Sequence, residues 1–139
     1  MVSVSEAESI INEEHFKPVV VDVSLEQAVG RVLAQDINAD RDLPPFNRAT
    51  MDGIAIISSA FVGGNRRFKI KGVQPAGVPP LAIGNPDECI EIMTGAVMPS
   101  AADAVVRYED LRIGNGGAEI IGDNITAGQN IHQQGVRRI

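Results

Sequence analysis

Residues 88–121, ECIEIMTGAVMPSAADAVVRYEDLRIGNGGAEII, hold three apolar runs of strand length separated by Thr94-Gly95, Pro99 and Gly114-Asn115-Gly116-Gly117. The pattern predicts strands over 88–93, 103–112 and 118–121, with Asn115-Gly116 turning a hairpin between the last two. Upstream, 54–57 and 66–74 read as further strands, set off by Gly-Gly, Pro-Pro and Asn-Pro turns. Gly and Pro total 22 of 139 residues, nearly all after residue 43. Short strands with frequent breakers predict a small barrel or sandwich.

Ahead of this β-rich body the chain changes character. Residues 3–15 carry two overlapping capping boxes, Ser3 with Glu6 and Ser5 with Glu8, before Ile10 and Ile11, which predicts a helix with a thin stripe of Val4, Ala7, Ile10 and Ile11. Pro18 stops it, and Val19, Val20, Val21 and Val23 suit a short strand or extended segment. Ser24 with Gln27 makes a third box, predicting a two-turn helix closed by Gly30, followed by a strand over 31–39. Residues 40–53, DRDLPPFNRATMDG, have neither period and read as a structured loop. The fold class expected is α+β, mostly β: short N-terminal helices and an extended linking segment feeding a small β-barrel-like domain.

Composition narrows the function. A chain of 139 residues with 44% hydrophobic content and mean hydropathy +0.03 can build one core. No apolar run approaches a membrane span and no leader pattern is present, so a cytoplasmic protein without membrane partners is expected. Cys89 is the sole cysteine, and His15 and His132 lie far apart, leaving no zinc-ligand cluster. The net charge of −6, with no Trp, argues against nucleic-acid binding. Charge is uneven: residues 1–40 hold eight acidic and two basic side chains, residues 41–77 six basic and two acidic.

Two segments can carry chemistry. In Leu43–Gly53 the prolines stiffen the chain, and Asp52 before Gly53 is either a hairpin corner or a rigidly presented carboxylate that holds a metal or orients a ligand. In Ile92–Pro99, Thr94-Gly95 at a strand end offers a hydroxyl and backbone N–H groups to an anion, or merely satisfies local backbone.

Taken together and in this order, LPPFNRATMDGIA and IMTGAVMPSAADAVVRYE resemble the paired motifs L-P-x-F-x-x-S-x-M-D-G-Y-A and I-x-T-G-A-x-x-P-x-G-A-D-A-V-V-x-x-E of the molybdopterin molybdenumtransferases, MoeA and the gephyrin E domain. SLEQAVGRVLAQDI and Ala127–Ile131 extend the resemblance over nearly the whole chain. It implies an N-terminal portion of an enzyme that inserts molybdate into adenylylated molybdopterin with Mg2+ and releases AMP. Asp52 and Thr94 match the functional Asp and Thr, Asp52 serving metal or ligand positioning and Thr94 hydrogen bonding. The resemblance also implies Pro45, Phe46, Met51, Gly53, Gly95 and Ala96 as the flanking substrate-binding positions. The same resemblance implies residues 1–45 as helix and linking segment, 46–130 as an inserted β domain and 131–139 as the return. It also implies a homodimer with an intersubunit site, further C-terminal domains, and other molybdenum cofactor biosynthesis proteins as partners.

The chain departs from the family pattern at Ile54 (usually Tyr), Asn47 (usually Asp), His132 (usually Arg) and Val136-Arg137 (usually Glu-Asp). These departures motivate an alternative, a non-catalytic binding or assembly module. Arg66–Lys71 puts four cations in six residues, expected as a solvated face or a charged guard on an edge strand, with polyanion binding as the rival. Cys89 is expected as a buried hydrophobe rather than a nucleophile.

Overall fold

The computed structural model describes residues 2–13 and 18–135, in one unit that ends at Asn38 and a second that begins at Ala39. In the first unit, helix α1 (Val4–Glu13) starts on the expected capping box. Ser3 Oγ accepts the Glu6 N–H at 3.3 Å, and the Glu6 carboxylate accepts the Ser3 N–H and hydroxyl, each at 2.8 Å. The backbone bond from Ser3, then its hydroxyl, holds the Glu6 carboxyl below its ordinary value. The Ser5–Glu8 box does not form; Ser5 Oγ lies 3.2 Å from Ser3 Oγ. Val4, Ile10 and Ile11 are exposed, and the expected end of the helix at 14–15 lies outside the described residues.

The rest of this unit corrects the pattern reading. Residues 19–23 form neither strand nor helix. The two-turn helix is a single 3-10 turn, Leu25–Gln27, in which the Ser24 carbonyl, not its side chain, receives the Gln27 N–H at 3.0 Å. Gly30, with φ +80°, follows it in the left-handed conformation expected of a terminating glycine. No strand is described over 31–39. Alternation becomes a strand only against a partner, and Val32, Leu33 and Ile37 are exposed.

In the second unit, β1 (Arg48–Ala49) pairs with β8 (Ile131–His132), while six strands form one sheet: β2 (Gly53–Ile56), β3 (Arg67–Gln74), β4 (Glu88–Ile92), β5 (Ala104–Arg107), β6 (Leu111–Gly114) and β7 (Gly117–Ile120). The spatial order is β5-β2-β4-β3-β7-β6, with β3 and β4 parallel and every other pair antiparallel. This topology forces curvature. In a flat sheet the edges β5 and β6 would stand about 24 Å apart, five steps of about 4.8 Å. Yet only the 3-10 turn Tyr108–Asp110 joins them, and a stretch that short spans at most about 14 Å. The sheet therefore curls into a half-barrel whose edges approach each other, the barrel-like body expected from the strand pattern.

The same turn divides the expected 103–112 strand into β5 and β6. Asn115 (φ 52°) and Gly116 (φ 74°) close the β6–β7 hairpin as its two-residue turn requires. Alternation along β2 builds both sides of the core: Ile54 and Ile56 join Phe68, Cys89, Val106, Leu111 and Ile120, while Ala55 faces Ala49, Ile92, Ala96, Met98 and Val105. A helix absent from the sequence reading, α2 (Ser58–Val62), sets Phe61 into the first cluster.

β3 lies between β4 and β7, so the edge-guard reading of its cations fails. Phe68 is buried and Arg67, Lys69 and Lys71 are exposed, the alternation expected. Arg66 reaches Asp123 (3.5 Å), Arg67 reaches Glu119 (3.4 Å) and Lys71 reaches Glu88 (3.2 Å), so acidic neighbours offset much of this run. Cys89 is fully buried, and burial, then the Glu91 charge, pushes its thiol up to about 12.

Candidate functional site

Asp52 and Thr94, 42 residues apart in sequence, meet at one end of the β2–β4 pair. Asp52 Oδ1 accepts both the Thr94 N–H and the Thr94 hydroxyl, each at 2.7 Å. The backbone bond, followed by the hydroxyl bond, holds the Asp52 carboxyl below its ordinary value, so it is ionised at neutral pH. Both residues are exposed. No donor among the described residues reaches Asp52 Oδ2, and the Thr94 hydroxyl, its proton committed to Asp52, keeps its lone pairs as acceptors.

Backbone geometry places the pair. Gly53 is not the corner of a hairpin: it begins β2, and a Cβ there would stand 1.9 Å from the Val106 carbonyl oxygen. The glycine lets β2 lie against β5 directly after Asp52, whose own carbonyl accepts the Tyr108 N–H at 3.3 Å. Gly95 takes φ +85°, and its N–H donates to the Ala49 carbonyl at 2.8 Å, turning the chain back after Thr94. Ala96 is fully buried, its carbonyl receiving the Ala49 N–H at 3.0 Å. Nearby, the Tyr108 hydroxyl donates to Glu91. Burial, that bond and the charges of Glu91 and Asp52 all push the Tyr108 phenol up, keeping it a neutral donor.

Of the flanking positions, Met51 is exposed beside Asp52. Pro45 and Phe46 lie exposed on the segment entering β1, which is tied to residues 134–135. There Asn47 Oδ1 accepts the Gln134 N–H at 2.8 Å, and the Pro44 carbonyl accepts the Gly135 N–H at 3.1 Å. Asn47 thus keeps an acceptor role although it lacks the charge of an Asp. His132 Nδ1 lies 3.5 Å from Arg48 Nη2. Val136 and Arg137 lie outside the described residues.

Three positioning groups escaped the sequence reading. Asp103 accepts the Ser58 N–H (2.6 Å) and hydroxyl (2.7 Å), capping α2 from 45 residues away. Gln74, fully buried, holds the loop that follows it. Glu88 accepts the N–H groups of Gly84 (2.9 Å) and Asn85 (3.2 Å) and pairs with Lys71. An open groove of about 940 Å³ runs over β3, β7 and β6 past Arg67, Lys69 and Arg112; neither Asp52 nor Thr94 lines it. Among the described residues no group of three or more His, Cys, Asp or Glu is placed to hold a metal, and no helix is long and apolar enough to cross a membrane.

This pairing of an M-D-G carboxylate with a T-G-A threonine coincides with a match to the family described as MoeA N-terminal region (domain I and II) over residues 2–137. The chain belongs to the MoeA N-terminal family. It is 40% identical over 123 residues to a molybdopterin molybdenumtransferase of Synechocystis, covering 87% of this chain and 31% of that protein. It is 37% identical over 112 residues to one of Staphylococcus epidermidis, covering 78% and 27%. The molybdopterin biosynthesis MoeA protein of Pyrococcus horikoshii OT3 superposes with TM-score 0.70 at 32% identity, over 81% of this chain and 31% of that one. A second MoeA structure from Pyrococcus superposes with TM-score 0.66 at 32% identity, over 96% and 35%. The chain thus spans about a third of the length of these MoeA relatives. The half-barrel and the two motifs lie within the MoeA-matching region.

Proposed function

We propose that this chain acts in molybdenum cofactor biosynthesis as the N-terminal portion of a molybdopterin molybdenumtransferase, supplying Asp52 and Thr94 to a site where molybdate enters adenylylated molybdopterin and AMP leaves. The observation that carries this reading is the pair of 2.7 Å bonds joining the two motifs. In the proposed organisation 1–45 contributes to a linking domain, 46–130 is the inserted β domain and 131–139 begins the return. C-terminal domains of the full-length protein and the second subunit of a cytoplasmic homodimer complete the pocket.

Molybdate and a pyrophosphate-like linkage are anionic, and so is Asp52; they share a site only with a cation between them or with Asp52 acting as an acceptor. Asp52 Oδ2 suits Mg2+, which characteristically takes one or two protein carboxylates together with substrate phosphates. When bound, Mg2+ neutralises charge on the phosphate and oxyanion oxygens. Thr94 aims Asp52, and its free lone pairs accept a substrate N–H or a metal-bound water. Neither side chain is a nucleophile.

The isolated 139-residue chain is expected to show no molybdate insertion, while the full-length protein turns over. Turnover by the isolated chain would contradict a half-site. Undiminished partner binding by a full-length protein that is inactive both as wild type and as Asp52→Asn would favour the assembly-module alternative.

A further inference from the structure

We propose that loop 75–81 is the wall on which the substrate's planar ring seats beside Thr94, and that Gln74 is the positioning residue that sets this wall. The inference rests on the transferase reading above. The loop, Pro75-Ala76-Gly77-Val78-Pro79-Pro80-Leu81, has no helix or strand, no charge, and every residue exposed. A single buried side chain shapes it. Gln74 Nε2 donates to the carbonyls of Pro75 (3.4 Å), Val78 (3.2 Å) and Pro79 (3.2 Å), and Gln74 Oε1 accepts the Leu81 N–H at 2.7 Å.

The main chain of the same residue fixes the other side of the site: the Gln74 carbonyl accepts the Met93 N–H at 3.1 Å, one residue before Thr94. The Ala76 methyl stands 3.8 Å from where a Cβ on Gly95 would be, so the loop lies against the Thr94-Gly95 turn. Leu81 seats the far end of the loop, its Cδ1 lying 3.1 Å from the corresponding point on Gly72. Three prolines cut the loop's freedom, so the wall is preorganised. An uncharged apolar wall next to a carboxylate and a hydroxyl sorts a ligand by chemistry: the ring face on the loop, the anionic end toward Asp52 and its cation.

The test uses the full-length enzyme with three variants. In Gln74→Leu, which keeps the volume and removes all four side-chain bonds, KM for adenylylated molybdopterin is expected to rise about tenfold with kcat within about twofold, the mark of lost ground-state positioning. Ala76→Leu leaves the Gln74 bonds intact and crowds Gly95; it is expected to raise KM in the same way, and it decides alone if Gln74→Leu does not fold. Unchanged KM in both folded variants, or in Ala76→Leu alone, overturns the inference. Asp52→Asn separates the two levels. If it is inactive while the loop variants keep wild-type KM, only the wall fails; if it keeps wild-type activity, the transferase site and the wall fail together.

Discussion

Replacing Gly53 with alanine should break the contact between β2 and β5. The added Cβ would meet the Val106 carbonyl oxygen at 1.9 Å, its carbon at 2.8 Å and the Arg107 Cα at 3.0 Å, all backbone atoms with no rotamer to yield. Reaching ordinary contact requires the strands to part by about 1.5 Å, enough to carry a 2.9 Å ladder bond past the hydrogen-bonding limit. Losing one or two such bonds costs about 1 kcal/mol each, and overpacking costs about 1–3 kcal/mol more. Alanine's better strand entropy returns about 0.5–1 kcal/mol. The balance is a loss of about 1–4.5 kcal/mol, a large share of a stability of about 5–15 kcal/mol, and a urea midpoint lower by about 0.5–2 M. Urea unfolding followed by circular dichroism measures it. Gly114→Ala, also in a strand but with nothing within 4 Å of its Cβ, is the control and should show no loss, gaining at most the same strand-entropy return of about 0.5–1 kcal/mol. If Gly53→Ala matches that control, the close approach that sets Asp52 is not what the geometry says.

Three further outcomes follow from the same packing. Glu88, held down to about 2 from its ordinary 4.5 chiefly by the Gly84 N–H and then by Lys71, contributes stability that is fully present above about 4.5 and lost as pH falls toward 2; Glu88→Gln should flatten the unfolding profile across that window. Asp103→Ala removes the remote cap of α2 and leaves the buried Ser58 N–H and hydroxyl unpaired, a loss of about 2–3 kcal/mol by thermal or urea unfolding. Cys89, buried with its thiol pushed up to about 12, should resist iodoacetamide at pH 8 in the folded protein and react only on unfolding; rapid native labelling would contradict its place in the core.

Where the determinants are local, the structure follows the sequence pattern closely. The Ser3–Glu6 box caps α1, Asn115-Gly116 turns the hairpin, and the alternation of Phe68 between Arg67 and Lys69 survives in β3. The two motifs of the candidate site stood out in the sequence because they are distinctive, although the hydrogen bonds that join Asp52 to Thr94 did not. What escaped depends on partners distant in sequence. Asp103 caps a helix 45 residues away, so α2, a five-residue helix with no side-chain cap of its own, left no local signal. Gln74 reads as one more strand residue until its side chain is seen under the loop. Gly53 follows Asp52 as in a turn, yet its reason is a neighbouring backbone. Conversely, residues 31–39 carry a strand pattern without a ladder, because pairing and not alternation makes a strand.

In the proposed transferase, Asp52 and Thr94 act as one unit. The most direct measurement is molybdate insertion by the full-length protein as wild type, Asp52→Asn, Thr94→Ala and the double variant. Each single variant is expected to lose about 100-fold or more in kcat/KM, and the double variant to be little worse than either, as for residues that work only together. Near-wild-type activity in Asp52→Asn, or losses that simply multiply in the double variant, would contradict the account.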